Sequence, residues 1–281
     1  MDQAWQLRRK LQQYYESQAR TVAVISGKGG VGKSNFVLNL SLNLAKKKKK
    51  VLLIDSDIGM ANIDLLLGQP SSTYSIVDIF EKKLPFEQVI QNGPYGLSYL
   101  SGGNTLSKIV QLHDEGFRYF LKQLEKMVTT YEDILFDLGA GISENSIRFL
   151  LAVDEIIVVT TPEPTAVMDA YASIKLVHQY DPHKNIKIVV NRCQKQKDGN
   201  MTFDRLNTTT SRFLGHELQL LGYLPEDRHV QQSVMNQTPI VIQYPMSPVA
   251  KALEKITNEY LGKKSHQKGF FQKFKKLFLK G

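Results

Sequence analysis

Cysteine is almost missing from this chain: Cys193 stands alone among 281 residues. A single thiol closes no internal disulfide, supplies no cysteine set for an iron–sulfur cluster and suits a reducing compartment. No uninterrupted apolar run reaches membrane-spanning length and no secretory leader is recognisable, so a cytosolic protein is expected. The histidines are scattered, and neither His178 nor His183 has a partner of the H-E-x-x-H type, so no structural metal is assigned. Acids are missing from the last stretch. Residues 263–281 hold seven lysines and no Asp or Glu, and so carry most of the formal net charge of +9. The basic balance belongs to a tail, not to a nucleic-acid footprint spread over a domain face.

What is present suffices for one large α/β domain. With 42% hydrophobic residues, a chain of this length can bury a substantial core. It is organised around Gly27-Lys28-Gly29-Gly30-Val31-Gly32-Lys33-Ser34. That stretch lies between the apolar run Val22 to Ile25 and an amphipathic pattern starting at Phe36, the strand–loop–helix context of a phosphate-binding loop. The glycines let the main chain turn tightly and aim its N–H groups at phosphate oxygens, and the helix adds the positive end of its dipole. Lys33 can then reach the β- and γ-phosphates, and the Ser34 hydroxyl can ligate Mg²⁺.

Other strands end in polar residues. Val51 to Ile54 runs into Asp55 and Asp57, and Ile134 to Phe136 into Asp137, at the strand ends where open α/β sheets bind ligands. Ile156 to Val159 and Ile186 to Val190 read as further central strands, the second ending at Asn191-Arg192. Ile76 to Phe80 reads as a short helix, 96–103 as a strand with a glycine turn and 113–130 as an amphipathic helix. The run Lys46 to Lys50 reads as a solvated helix end.

Lys28, just after the first glycine, resembles the deviant Walker A motif of the MinD/ParA ATPases, in which this lysine reaches a partner's nucleotide across a homodimer. Within that resemblance 55–59 is similar to the D-x-D-x-G switch I, which implies that Asp57 positions the attacking water and Asp55 holds Mg²⁺ through water. Asn62 and Asp169 would lie at the dimer interface. Residues 137–141 are similar to the D-x-P-A-G switch II, with Gly139 in place of the proline; Asp137 would support Mg²⁺ through water or Ser34. Asn191 and Arg192 would lie against the adenine, and Gly222 to Asp227 resembles the second base-side loop, with Pro225, Glu226 and Asp227. An N-K-x-D guanine motif is absent, which favours ATP over GTP. The lone cysteine sets aside the nitrogenase iron-protein branch of these ATPases.

Both ends carry more than such a domain needs. Ala4, Leu7, Leu11, Tyr14 and Tyr15 fall at helical spacing, and 2–8 resembles the DQAxxLR element of FlhG proteins, MinD-like ATPases that control flagellar number and placement. The resemblance implies that Asp2, Gln3, Ala4, Leu7 and Arg8 activate the GTPase FlhF, with Gln3 orienting the attacking water. At the other end Phe270, Phe271, Phe274, Leu277 and Phe278 share one helical arc, with Lys273, Lys275, Lys276 and Lys280 outside it. That pattern describes an interfacial membrane helix, and it is also similar to the membrane-targeting tail of MinD.

The expected fold is a doubly wound, mostly parallel sheet over 20–262, with an FlhF-activating element at 1–19 and a membrane-targeting helix at 263–281. The expected function is an ATP/ADP switch. ATP and Mg²⁺ pair two chains on the inner face of the cell membrane, an anionic surface, and flagellar C-ring proteins are partners; no specific nucleic acid is expected. The alternatives are a MinD-type division-site ATPase, which would not need 1–19, and a ParA-type partition ATPase, which would bind DNA.

Overall fold

The computed structural model describes residues 18–56, 62–70, 73–101, 114–139, 141–142, 144–262 and 269–279. The expectations for 1–17 and for Asp57, and those for the side chains of Asn62 and Phe278, lie outside the described residues.

Eight strands form one sheet: β1 (Arg20–Ile25), β2 (Val51–Ser56), β3 (Gln91–Asn92), β4 (Ser98–Leu100), β5 (Asp133–Leu138), β6 (Glu155–Thr160), β7 (Asn185–Cys193) and β8 (Gln219–Pro225). Their order is β3-β4-β2-β5-β1-β6-β7-β8, and among the described residues only β3 and β4 pair antiparallel. β1, with β5 and β6 on its two sides, is the point from which the chain winds both ways. The crevice at the carboxyl end of such a strand is where this class of sheet binds ligands.

The central strands alternate between two apolar layers. On β1, Ala23 and Ile25 enter one core and Val22 and Val24 the other; on β5, Ile134, Phe136 and Leu138 oppose Leu135. Both faces are covered, which is why these strands read as continuous apolar runs.

One layer is built on α1 (Lys33–Lys46), with α2 (Asn62–Leu66) beside it. Short α3 (Ile76–Glu81) and α4 (Phe86–Val89) pack on the opposite layer, which is dominated by α5 (Asp114–Thr130), α6 (Glu144–Ala152), α7 (Pro164–Tyr180) and α8 (Gln196–Leu214). α9 (Arg228–Met235), α10 (Ile240–Gln243) and α11 (Pro248–Gly262) return the chain to the first layer. α1 is buried on most of its surface, so its polar residues need partners: Asn39 accepts from the Val241 amide at 3.2 Å, and Asn43 donates to Thr257 at 3.3 Å. Lys46, Lys47 and Lys48 are exposed at its end. No helix among the described residues is long and apolar enough to cross a membrane.

The last helix, α12 (Phe270–Leu279), does not present its apolar arc to the surroundings. It lies against α5 and α6, and Phe270, Phe271 and Phe274 are buried in the domain's own core. Phe274 meets Phe120 and Phe149 with ring centroids 6.0 Å away in each case. Phe270 meets Phe136 at 5.7 Å and Phe149 at 5.8 Å. Each fully buried phenylalanine contributes about 1.5–3 kcal/mol. The expected lipid-facing arc is therefore, in this conformation, an intramolecular contact, with Leu277 packed at its margin and Lys275 and Lys276 left in solvent. The physical reason is that an apolar arc carries no label for its destination.

Candidate nucleotide site

The phosphate loop leaves β1 and enters α1 with Gly32 as the cap residue, at φ 90°. Gly30 is also left-handed, at φ 78°. Two glycines are demanded by contact as well. A Cβ on Gly27 would lie 2.2 Å from the main chain of Asp169, and one on Gly32 would lie 2.4 Å from the Asn191 amide nitrogen. The loop is thus wedged between the second turn of α7, at Asp169, and the end of β7.

Lys33 is 6% exposed, and its ammonium donates to Asp137, itself fully buried at the end of β5. Ser34 stands 3.5 Å from the same nitrogen. Asp55 and Asp137 are directly opposite in the β2–β5 register, and both are fully buried. One hydroxyl, two carboxylates and one ammonium therefore meet at the mouth of the loop. The switch II segment reaches back to the same corner: Gly141 donates its amide to the Ser26 carbonyl at 3.0 Å.

Both base-side segments line one cavity of about 370 Å³ together with Gly32. Asn191, Arg192, Pro225, Glu226 and Asp227 all reach it, and the Glu226 amide ties the segments by donating to the Cys193 carbonyl at 3.0 Å. Asn191 departs from the simple expectation of an amide free to pair twice with adenine. Its nitrogen donates to the Val31 carbonyl at 2.7 Å, and its oxygen accepts from the Arg192 amide at 2.9 Å. One N–H remains for a base, so the residue joins the base loop to the phosphate loop as much as it reads. Arg192 adopts φ 56°, a left-handed conformation uncommon for a side chain with a Cβ. Asp227 caps α9 by accepting from the His229 amide at 3.0 Å. Burial pushes this carboxyl up, but the hydrogen bonds from the His229 main chain and ring outweigh it and hold it below its ordinary value.

Lys28 is not free in this chain. It donates to Glu163 at 2.6 Å and to Thr165 at 3.1 Å. Neither partner follows from the sequence motifs; the available signal is an acid three residues beyond the carboxyl end of β6, beside β1. Asn35 and Phe36 are further cavity residues that motif reasoning passes over.

Residues 17–261 match the family described as ParA, NUBPL iron-transfer P-loop NTPase. The chain belongs to the ParA family of P-loop NTPases. Like its homologues in that family, it is an ATPase. It is 30% identical over 241 residues to the antiactivator FleN of Pseudomonas aeruginosa, an alignment covering 85% of each protein. It is 32% identical over 224 residues to the flagellum site-determining protein YlxH of Helicobacter pylori, covering 74% of this chain and 71% of that one. Among solved structures, the Aquifex aeolicus MinC:MinD cell division protein complex superposes with a TM-score of 0.70 at 26% identity, covering 89% of this chain and 99% of that one. Within the ParA family the chain is FlhG- and MinD-like. The chain's one cysteine, Cys193, is buried, and burial pushes its thiol up to about 11.

Proposed function

We propose that this ATPase is a nucleotide-controlled switch regulating flagellar number and placement. The observation that carries the reading is the joint placement of the phosphate loop, the paired carboxylates and Lys28 at one crevice, in a chain similar to FleN and YlxH. ATP lays its phosphates along Gly27 to Ser34 and its base in the cavity between Asn191 and Pro225. Lys33, now paired with Asp137, exchanges that partner for the phosphates. Asp57 positions the attacking water.

The donor set fits a hard divalent cation of the magnesium class: the Ser34 hydroxyl directly, with Asp55 and Asp137 through water. Bound there, such an ion would neutralise charge developing on the phosphoryl group. Two chains pair face to face across this crevice, with Asn62 and Asp169 at the interface, and Lys28 of each acts on the other's nucleotide. The tail helix attaches to an anionic membrane surface when it leaves the core. Its docked position gives the switch something to release, because Phe136, which touches Phe270, directly precedes Asp137. In this reading C-ring switch proteins are downstream partners.

Residues 2–8 stimulate the GTPase FlhF. A glutamine suits the role of Gln3 because one amide can donate to and accept from a single water. The test is FlhF turnover with a peptide of residues 1–19, intact or carrying Gln3→Ala. Stimulation lost in the variant supports the assignment; equal stimulation removes the role of Gln3, and none from either peptide removes the partner.

A further inference from the structure

β8 is the last strand of the sheet, and its outer edge has no part in the nucleotide switch. Along it runs a cavity of about 680 Å³, which meets the smaller nucleotide cavity at Pro225. We propose that this groove is a docking site for an acidic, extended segment of another protein, which adds to β8 as a further strand. The inference stands apart from the flagellar reading and from the dimer.

The lining shows that the groove follows the edge and not a face. Leu220, Leu221, Gly222 and Tyr223 are consecutive, and consecutive residues of a strand point to opposite faces, yet all four line one cavity. The two faces are closed by helices. A Cβ on Gly222 would lie 2.5 Å from Ile256 of α11, and one on Gly199 of α8 would lie 2.4 Å from the Tyr223 ring. Gly222 is nevertheless half-buried, and a residue without a side chain can expose only its main chain. The pairing with β7 skips Leu221, since Ile188 stands opposite Leu220 and Val189 opposite Gly222. From Gln219 to Leu224 the strand carries no charge and no proline, the usual devices that keep a free edge from pairing. Main-chain groups at such an edge are what an added strand binds.

Charge on the walls selects the occupant. Lys251 and Lys255 project from α11 and Lys195 from the start of α8; all three are exposed, and none forms a salt bridge among the described residues. Lys251 and Lys255 stand one helical turn apart, where like charges repel and an anion between them relieves the strain. Glu259 is the one acid in the lining. The chain's own ends do not match this rim: residues 1–17 hold Arg8, Arg9 and Lys10 against Asp2 and Glu16, and residues 263–268 hold three lysines and no acid. An acidic segment with apolar residues in alternation satisfies both the lysines and the apolar floor of Leu220, Ala252 and Ile256.

The test titrates the full-length chain into a fluorophore-labelled peptide of about eight residues that alternates glutamate and valine, beside a lysine–valine counterpart. Hydrogen exchange of β8 is followed in the bound state. The acidic peptide is expected to bind and to protect β8, and the basic one to do neither. Lys251→Glu combined with Lys255→Glu should weaken binding by about tenfold or more, at about threefold for each exposed pair lost, and leave ADP affinity unchanged. Ala252→Trp, at a half-buried position on the groove wall, should abolish binding by filling the groove. Equal binding of the two peptides, full binding by the charge-reversed chain, or no binding of the acidic peptide overturns the docking site. Binding that leaves β8 unprotected overturns the added strand. Protection of β8 that is present without peptide and falls on dilution gives the groove to a second copy of this chain and overturns the acidic occupant.

Discussion

Two adjacent residues of β5 face two different kinds of environment. Asp137 points into the crevice, where it accepts from Lys33 beside Asp55 and Ser34. Phe136, one residue earlier, points to the opposite layer and meets Phe149 and Phe270 at 4.5 and 5.7 Å. The crevice is held by polar contacts that can be exchanged one for one, Lys33 with Asp137 and Lys28 with Glu163. The tail groove is held by aromatic packing, which has no partner to swap and must be vacated as a whole. A single strand therefore joins a region built for substitution to a region built for displacement.

The comparison breaks first at the crevice. Lys33→Ala removes the cation that both Asp137 and the phosphates use, and ATP turnover should fall by about 10²–10³. Asp57→Ala should abolish turnover while ATP stays bound, because the phosphate cradle is intact. Isothermal titration beside a turnover assay separates the two, and wild-type turnover in the Asp57 variant would refute the switch I assignment.

At the groove, two substitutions sharpen the difference between docking and membrane attachment. Phe149→Ala removes the wall that both Phe270 and Phe274 touch and leaves the tail's own arc complete. It should cost about 3–5 kcal/mol of docking and stability and raise liposome binding. Phe274→Glu places a charge in the buried centre of the arc, so it should free the tail and abolish liposome binding together. Hydrogen exchange across α5 and α6 reports undocking in each.

The smallest effect is a pH dependence at the opposite end of the sheet from the crevice. Lys184 donates to the Leu151 and Val153 carbonyls, and burial, with Lys273 of the tail helix adding like-charge repulsion, pushes its ammonium down to about 8. Between that value and the ordinary lysine range the unfolded chain binds more protons than the folded one, so stability should rise as pH increases from about 8 to 10. A chemical-denaturation series should show that rise shrink by at most about 3 kcal/mol in Lys184→Met relative to the intact chain. An identical slope in both would show that another group carries it.

Much of the crevice was legible in the sequence because its determinants are local. The glycines, Lys33 and Ser34 are consecutive, and Asp55, Asp137 and Asn191 each announce themselves by ending an apolar run. The doubly wound sheet followed from the same runs, since a strand buried on both faces has little polar alternation to hide it. The pairing of Lys28 with Glu163 was not legible, because it depends on β6 lying next to β1, a fact of topology and not of spacing. Nor was the engagement of Asn191 with Val31, across 160 residues. The tail was half legible. Its helical arc gave an amphipathic helix correctly, but the same phenylalanines serve a lipid surface and a protein groove equally well.

In the proposed switch, nucleotide state decides whether the tail lies on the domain or on a membrane. One tail is marginal as an anchor, since burial at an interface is partial and ordering the chain opposes it. Two tails on one dimer make the second attachment intramolecular, raising avidity by about 10²–10⁴. The direct measurement is co-sedimentation of the full-length protein with anionic liposomes in ADP, in ATP and in a slowly hydrolysed analogue. Strong binding with the analogue, intermediate binding with ATP and little with ADP is the predicted result. Equal sedimentation in all three states would show that nucleotide does not control the tail.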